Sequence, residues 1–200
     1  MSDGIERLRQ DAAVLAAMAE QMPAYLDSDT LFWPAPRGGM PALTLGGYLL
    51  REHRLLALAG WLSPEEQAQV SAAMTQFNQA LGNRVVRFEQ KAHTELEARL
   101  RQWEESLKDM ERGTFDRTSN YANAVETRAV IQALLDRLSM PPYRLEGRPA
   151  QHLATLDTRL RNNFRPGDFI WPDEWAAAYP RSDYWWLYGA PRNTDKASTA

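Results

Sequence analysis

Apolar residues recur with helical spacing over an unusually long stretch of this 200-residue chain. Over residues 70–110 their mean spacing is about 3.6 residues, the period of a straight α-helix rather than of a heptad coiled coil. The motif Ser63-Pro64-Glu65-Glu66 precedes the stretch and is typical of a capped helix N-terminus. The pattern therefore predicts one continuous helix over residues 64–112, with a helix end at Gly82-Asn83 as the alternative.

Shorter amphipathic helices are predicted before and after this long helix. Pro23 is expected to end the first of them, and Thr44 is a plausible cap for the second, which is rich in leucine and should be the most buried helix. The glycines at positions 46 and 47 favour close packing between helices rather than a phosphate loop. The predicted ranges are residues 4–22, 43–62, 116–139 and 149–163.

The length of the long helix predicts an elongated shape. At 1.5 Å per residue it would measure about 70 Å, whereas a compact domain of this size has a diameter of about 40–45 Å. The helices over residues 43–62 and 116–139 are expected to run back along its two halves. The fold class is therefore all-α: an elongated antiparallel bundle around one long central helix over residues 64–112. Residues 1–188 form one domain, and residues 189–200 form a flexible tail.

Two aromatic pieces, Phe32-Trp33-Pro34 and Ile170-Trp171-Pro172, are the most distinctive local features. The second opens an aromatic-rich C-terminal segment that is expected to pack over the helices. Its rings are anchors in the core, part of a protein-docking surface, or a platform for a sugar or a cationic ligand. The candidate ligand-binding or partner-binding residues are Trp33, Glu52, His53, Trp171, Trp175, Tyr184, Trp185 and Trp186.

Composition narrows the choice of partners and compartments. The absence of cysteine excludes disulfides, thiolate catalysis and thiolate metal sites. A net charge of −3 argues against nucleic acid and against anionic membranes as partners. Charged residues at positions 51, 52 and 54 interrupt the richest apolar run, so no membrane span is predicted. The N-terminus does not resemble a signal peptide, and a cytoplasmic location is expected.

Two charged clusters are candidates for chemistry. Glu52 beside His53 suits proton transfer, but flanking Arg51 and Arg54 favour a salt-bridged polar edge instead. The set Glu89, His93 and Glu97 shares one helix face, yet solvated surface residues explain it better than a metal site. Neither cluster supports assigning a catalytic residue, a metal or a cofactor.

The sequence as a whole favours a non-enzymatic interaction or assembly protein that presents an apolar and aromatic helical surface to a protein partner. The apolar stripe of the long helix is too wide for two flanking helices to cover, which makes a second copy of the chain one candidate partner. The alternative is a small-molecule binding protein or enzyme with a pocket between the Trp33 loop and residues 171–188.

Overall fold

The computed structural model describes residues 3–112, 118–145 and 147–192. These residues form mainly α-helices, which confirms the all-α fold class, together with one small antiparallel sheet and three short 3-10 helices. The helices are α1 (Asp3–Asp27), α2 (Leu45–Ala57), α3 (Pro64–Gly82), α4 (Val85–Arg112), α5 (Thr118–Leu138) and α6 (Gly147–Asn162); the strands are β1 (Phe164–Phe169) and β2 (Tyr188–Pro191); the 3-10 helices are Ala59–Trp61, Asp173–Ala178 and Trp185–Leu187.

The prediction of a single long helix over residues 64–112 is wrong, because the helix is interrupted between α3 and α4. Asn83 ends α3, and the Arg84 amide donates to the Leu81 carbonyl at 2.8 Å. Arg84 is also tied to the end of α1 by its ion pair with Asp27, at 2.8 Å. The apolar period continues across the break, so periodicity alone did not reveal it. Both local signals, a helix-weakening Gly and a turn-forming Asn, were present at residues 82 and 83.

The first helix is longer than predicted. Pro23 lies inside α1 instead of ending it, and the helix continues to Asp27. An interior proline costs about 3 kcal/mol. The extra turn buries Tyr25 and Leu26 completely, which offsets that cost.

The first three helices pack against one another. The relative direction of α1 and α3 did not follow from the sequence. Ion pairs join Arg9 to Glu66 and Asp27 to Arg84, with equal spacing along both helices, so α1 and α3 run parallel. The main neighbour of α3 is thus α1, not the predicted helix over residues 43–62. That helix is shorter than predicted, although α2 begins as expected, with Thr44 Oγ1 accepting from the amide of Gly47 at 3.0 Å.

Among the last three helices, α4 packs against both α5 and α6. The helix α5 runs back along α4, as predicted, since Tyr143, just after the end of α5, packs on Phe88 near the start of α4. Side-chain contacts of α4 with α6, from Glu104 to His152 and from Glu111 to Arg159, show that α6 runs parallel to α4. The helix α2 packs on α5 and joins the two sets of helices into one core.

The apolar stripe of α3 and α4 is covered within the monomer. Phe77, Phe88, Leu96 and Trp103 are fully buried, and the other stripe residues are buried or partly buried. The expectation that this stripe leaves an apolar strip free for a partner is therefore wrong. Helices from both sets close over it, because the break after Gly82 lets each half take its own neighbours.

The C-terminal segment packs over the helices as predicted. Strand β1 pairs antiparallel with β2, and the two short 3-10 helices lie between them in the chain. The indole of Trp175 donates to the Gly4 carbonyl at 2.9 Å, which fixes the segment to the start of α1. Since residues 188–191 form a strand, the predicted tail cannot begin at residue 189. Its remainder, residues 193–200, lies outside the described residues.

The connection between α4 and α5 and the question of a membrane-spanning helix remain to be compared with the predictions. The residues expected to join the helix ending at residue 112 to the helix over residues 116–139, and the start of that second helix, lie outside the described residues. Within the described ranges, no helix combines the length and apolar character needed to cross a membrane.

Candidate functional site

A groove between α2 and α5 brings exposed apolar side chains together with partly buried charged groups. Leu56 and Met140 are 53% and 50% exposed, and both line it. Successive helix residues point about 100° apart. Leu55 takes the inner position, so Leu56 faces solvent, although this leucine-rich helix was predicted to be the most buried one. The α2–α5 groove has a volume of about 190 Å³. Its other lining residues are Leu49, Leu50, Glu52, His53, Ala129, Ala133, Asp136, Arg137 and Tyr184.

Glu52 is the carboxyl group with a perturbed pKa in this groove. Burial raises its pKa above the ordinary value, and the positive charge of Arg137 opposes that shift only in part. The Arg137 guanidinium lies 5.7 Å from the ring centroids of both Phe77 and Tyr143. Its Nε is buried without a hydrogen-bond partner among the described residues. Glu52 can therefore accept a bond from a cation when charged, or donate one when neutral.

His53 connects α2 to the C-terminal segment. Its Nε2 lies 2.8 Å from the Ala178 carbonyl oxygen. Because a carbonyl oxygen only accepts, Nε2 is the donor in this hydrogen bond. The Tyr184 hydroxyl lies 3.4 Å from the same Nε2, and burial raises its pKa well above the ordinary value, so it stays protonated. The described contacts include no hydrogen bond between Glu52 and His53 that would make them a proton-transfer pair.

A buried charged cluster lies next to this groove and positions the aromatic segment. Asp11 on α1 pairs with Arg54 and lies 3.0 Å from Arg51. The Arg54 Nε donates to the Tyr179 hydroxyl at 3.0 Å, and its guanidinium lies 3.7 Å from the ring centroid of Trp175. The predicted salt-bridged edge of this helix therefore forms, but with Asp11 as its acid rather than Glu52.

Most aromatic candidates serve as anchors of the C-terminal segment. The indole of Trp171 donates to the Ala122 carbonyl at 3.1 Å, and Trp171 packs edge-on against Trp175. Trp186 is 2% exposed, and the Arg128 guanidinium covers its ring at 3.6 Å. Tyr184 is the one candidate of this segment that lines the α2–α5 groove, whereas Trp185 lies on another face.

Trp33 lies far from the other aromatic candidates. Its indole donates to Gln21 at 2.9 Å and its ring packs edge-on against Tyr25, near the end of α1. Trp175 is bound to Gly4 at the beginning of that helix. Gln21 lies 17 positions after Gly4 along α1, which corresponds to about 25 Å. Trp33 and Trp175 therefore lie too far apart to line one pocket.

The helix face with Glu89, His93 and Glu97 shows no sign of metal binding. Nε2 of His93 lies 2.9 Å from the Arg144 carbonyl oxygen, which occupies that nitrogen. Among the described residues, no three acidic or histidine side chains are grouped so that they would hold a metal ion.

Sequence reasoning found part of the groove and missed the rest. Glu52, His53 and Tyr184 were among the candidates, but Asp136, Arg137 and Met140 were not. The missed residues lie on or just after α5, where charged residues beside apolar ones are ordinary for an amphipathic helix. No local signal distinguishes them, because only the packing of α2 on α5 gives them a shared surface.

Comparison of this chain with models of known families, with curated proteins and with solved structures finds no match. The fold and the site describe a mainly helical protein with a groove between α2 and α5 that is lined by charged and apolar residues. Any assignment of function therefore depends on the contacts described above.

Proposed function

We propose that this protein is a non-enzymatic interaction protein that binds a protein partner through the α2–α5 groove. The observation that supports it is the exposure of Leu56 and Met140, which together line one concave surface. When a partner covers exposed apolar surface, the complex is stabilised by about 25 cal/mol per Å² of that surface. Apolar centres with polar rims are the usual anatomy of protein interfaces.

The charges of the groove indicate the chemistry of the partner segment. Glu52 and Asp136 contribute two carboxyl groups, and Arg137 contributes one guanidinium. A segment with an apolar anchor next to a Lys or Arg would cover the apolar centre and pair with the excess carboxyl group. His53 is expected to stabilise the wall of the groove rather than to bind the partner through Nε2, since the Ala178 carbonyl already occupies that nitrogen.

Site-specific photo-crosslinking in the native cells tests this proposal. A photoreactive benzoylphenylalanine replaces Leu56 in one strain and Val86, an exposed apolar residue of α4 that is 66% exposed, in the control strain. We expect one discrete protein adduct from position 56 and none from position 86. The adduct should disappear when Met140→Asp is added.

Two results decide the outcome. The mass of the adduct tells whether the partner is another protein or a second copy of this chain. Equal labelling from positions 56 and 86, or an adduct that survives Met140→Asp, would contradict the groove as the docking surface.

A small-molecule binding protein or enzyme is the second candidate, now with the α2–α5 groove as its pocket. The raised pKa of Glu52 favours it, because partly buried carboxyl groups with a perturbed pKa are common at functional sites, and a carboxyl group in a groove can bind an amine. Saturable binding of benzylamine in calorimetry, abolished by Glu52→Gln, would favour this function. A lack of binding by benzylamine would leave the protein-docking proposal as the better account.

A further inference from the structure

A second cavity, independent of the α2–α5 groove, lies where the end of α6 meets the two-stranded sheet. Its volume is about 300 Å³, at the lower end of the range for small-ligand sites. Two arginines and three aromatic rings dominate its wall. The lining residues are Arg161, Phe164, Pro166, Arg181, Trp185 and Tyr188.

Arg161 is held by a ring rather than by an acid. Its guanidinium lies 3.8 Å from the ring centroid of Trp185, and the side chain is exposed. The neighbouring cation Arg159, in the same last turn of α6, instead pairs with Glu111 at 2.8 Å. Within the described ranges no carboxylate lies in salt-bridge distance of Arg161. Stacking leaves the N–H edge of a guanidinium free, which is the edge that binds carboxylate or phosphate in a bidentate manner.

Arg181 supplies a second guanidinium to the same cavity. It lies 5.3 Å from the ring centroid of Tyr188, and one of its nitrogens donates to the Gly167 carbonyl at 3.3 Å. No described carboxylate pairs with it either. Two cations without acidic partners beside one cavity repel each other, so an anion placed between them is stabilised by both.

The aromatic wall is rigid enough to keep these groups in place. The hydroxyl of Tyr188 donates to the Tyr179 carbonyl at 2.8 Å, and Phe164 packs edge-on against Trp185 with ring centroids 5.2 Å apart. Phe164 is buried, whereas Trp185 and Tyr188 are partly exposed toward the cavity. The apolar part of a ligand would meet these rings and Pro166.

We propose that this cavity is a binding site for an organic anion. Its carboxylate or phosphate group lies between the guanidinium groups of Arg161 and Arg181, and its apolar body packs against Pro166 and the exposed parts of Trp185 and Tyr188. The site is distinct from the α2–α5 groove, because the two share no lining residue. It therefore stands or fails separately from the proposed docking function.

Isothermal titration calorimetry with phenyl phosphate and with benzoate tests this site on the full chain. We expect saturable binding of at least one of the two probes, and the better one identifies the acidic group. Arg161→Gln and Arg181→Gln should each weaken binding by about tenfold, the effect of losing one charge-assisted contact. The matched control is Arg148→Gln, an exposed arginine at the opposite end of α6, which should leave binding unchanged.

Three results would overturn the proposal. The first is that neither probe binds. The second is that inorganic phosphate binds as tightly as phenyl phosphate, which would mean that the apolar wall has no role. The third is that Arg148→Gln loses as much affinity as Arg161→Gln and Arg181→Gln. Unchanged thermal unfolding of each variant verifies that lost affinity is not lost folding. Arg161→Lys gives a second measure, since it keeps the charge, loses the bidentate edge, and should also weaken binding.

Discussion

Replacing Asp11 by Asn should destabilise this protein far more than replacing an exposed acid. The side chains of Asp11 and Arg54 are only 12% and 7% exposed, and Asp11 also lies 3.0 Å from Arg51. The change leaves Arg54 buried with Tyr179 and the face of Trp175 as neighbours but without its counter-charge. Uncompensated burial of a charge is what makes the loss of one partner so costly.

The magnitude follows from the burial of the pair. Breaking a buried ion pair by removing one partner costs about 3–5 kcal/mol. Asparagine keeps one acceptor oxygen, so we expect the lower end, about 3 kcal/mol. For a chain of this length that corresponds to a fall of about 6–12 °C in Tm.

Urea unfolding followed by tryptophan fluorescence and by far-UV circular dichroism measures this loss. The matched control is Asp3→Asn, which removes an acid from the same helix. Its ion pair with Arg7 has side chains that are 74% and 57% exposed. Such exposed pairs contribute below about 1 kcal/mol. If Asp11→Asn were no more destabilising than Asp3→Asn at an unchanged m-value, the reasoning about the buried cluster would be refuted.

Three further changes test other contacts of the fold and the groove. Gly46→Ala should cost about 1–3 kcal/mol in urea unfolding, because a Cβ there would overlap Val130 Cγ1. Glu52→Gln should stabilise the protein at neutral pH. The folded pKa of Glu52 is raised, so the wild type loses stability as pH rises above 4.5, and the two proteins should converge below it. Ser63→Ala should cost about 1 kcal/mol in thermal unfolding, because it removes the acceptor of the capping box.

Each of these has its own control and its own contrary result. Gly60→Ala adds a Cβ in open space, and an equal cost there would deny a close approach at Gly46. For Glu52, a stability difference that stays constant from pH 4 to pH 8 would show that the carboxyl titrates normally. For Ser63, a Ser63→Asp variant should keep the cap, and the cap has no role if the alanine variant is as stable as the aspartate variant.

Local signals predicted the helix boundaries where a specific side chain makes the boundary. Both bonds of the predicted capping box form, with Ser63 accepting from the Glu66 amide at 3.2 Å and Glu66 accepting from the Ser63 amide at 2.7 Å. Thr44 caps α2 in the same way. The predictions failed where tertiary packing outweighs a local preference. Pro23 does not end α1, because the following turn is buried.

The groove could be predicted only in part. Glu52 and His53 stood out because charged residues on a leucine-rich helix need partners, and both line the groove. Their partners did not follow from the sequence. The Ala178 carbonyl that binds His53 lies 125 positions away in the chain, and Arg137 belongs to a helix with no unusual pattern.

The sequence by itself determined the helical class, the apolar stripe of α3 and α4 and the caps at Thr44 and Ser63, because these depend on residues within one or two turns. Only the tertiary structure decided that α1 and α3 run parallel and that the stripe over residues 64–112 is fully covered. It also decided that Leu56 faces a groove. Contacts such as that of Asp11 with Arg54, 43 positions apart, set these features. Periodicity records which face of a helix is apolar, but it carries no information about which helix will cover that face.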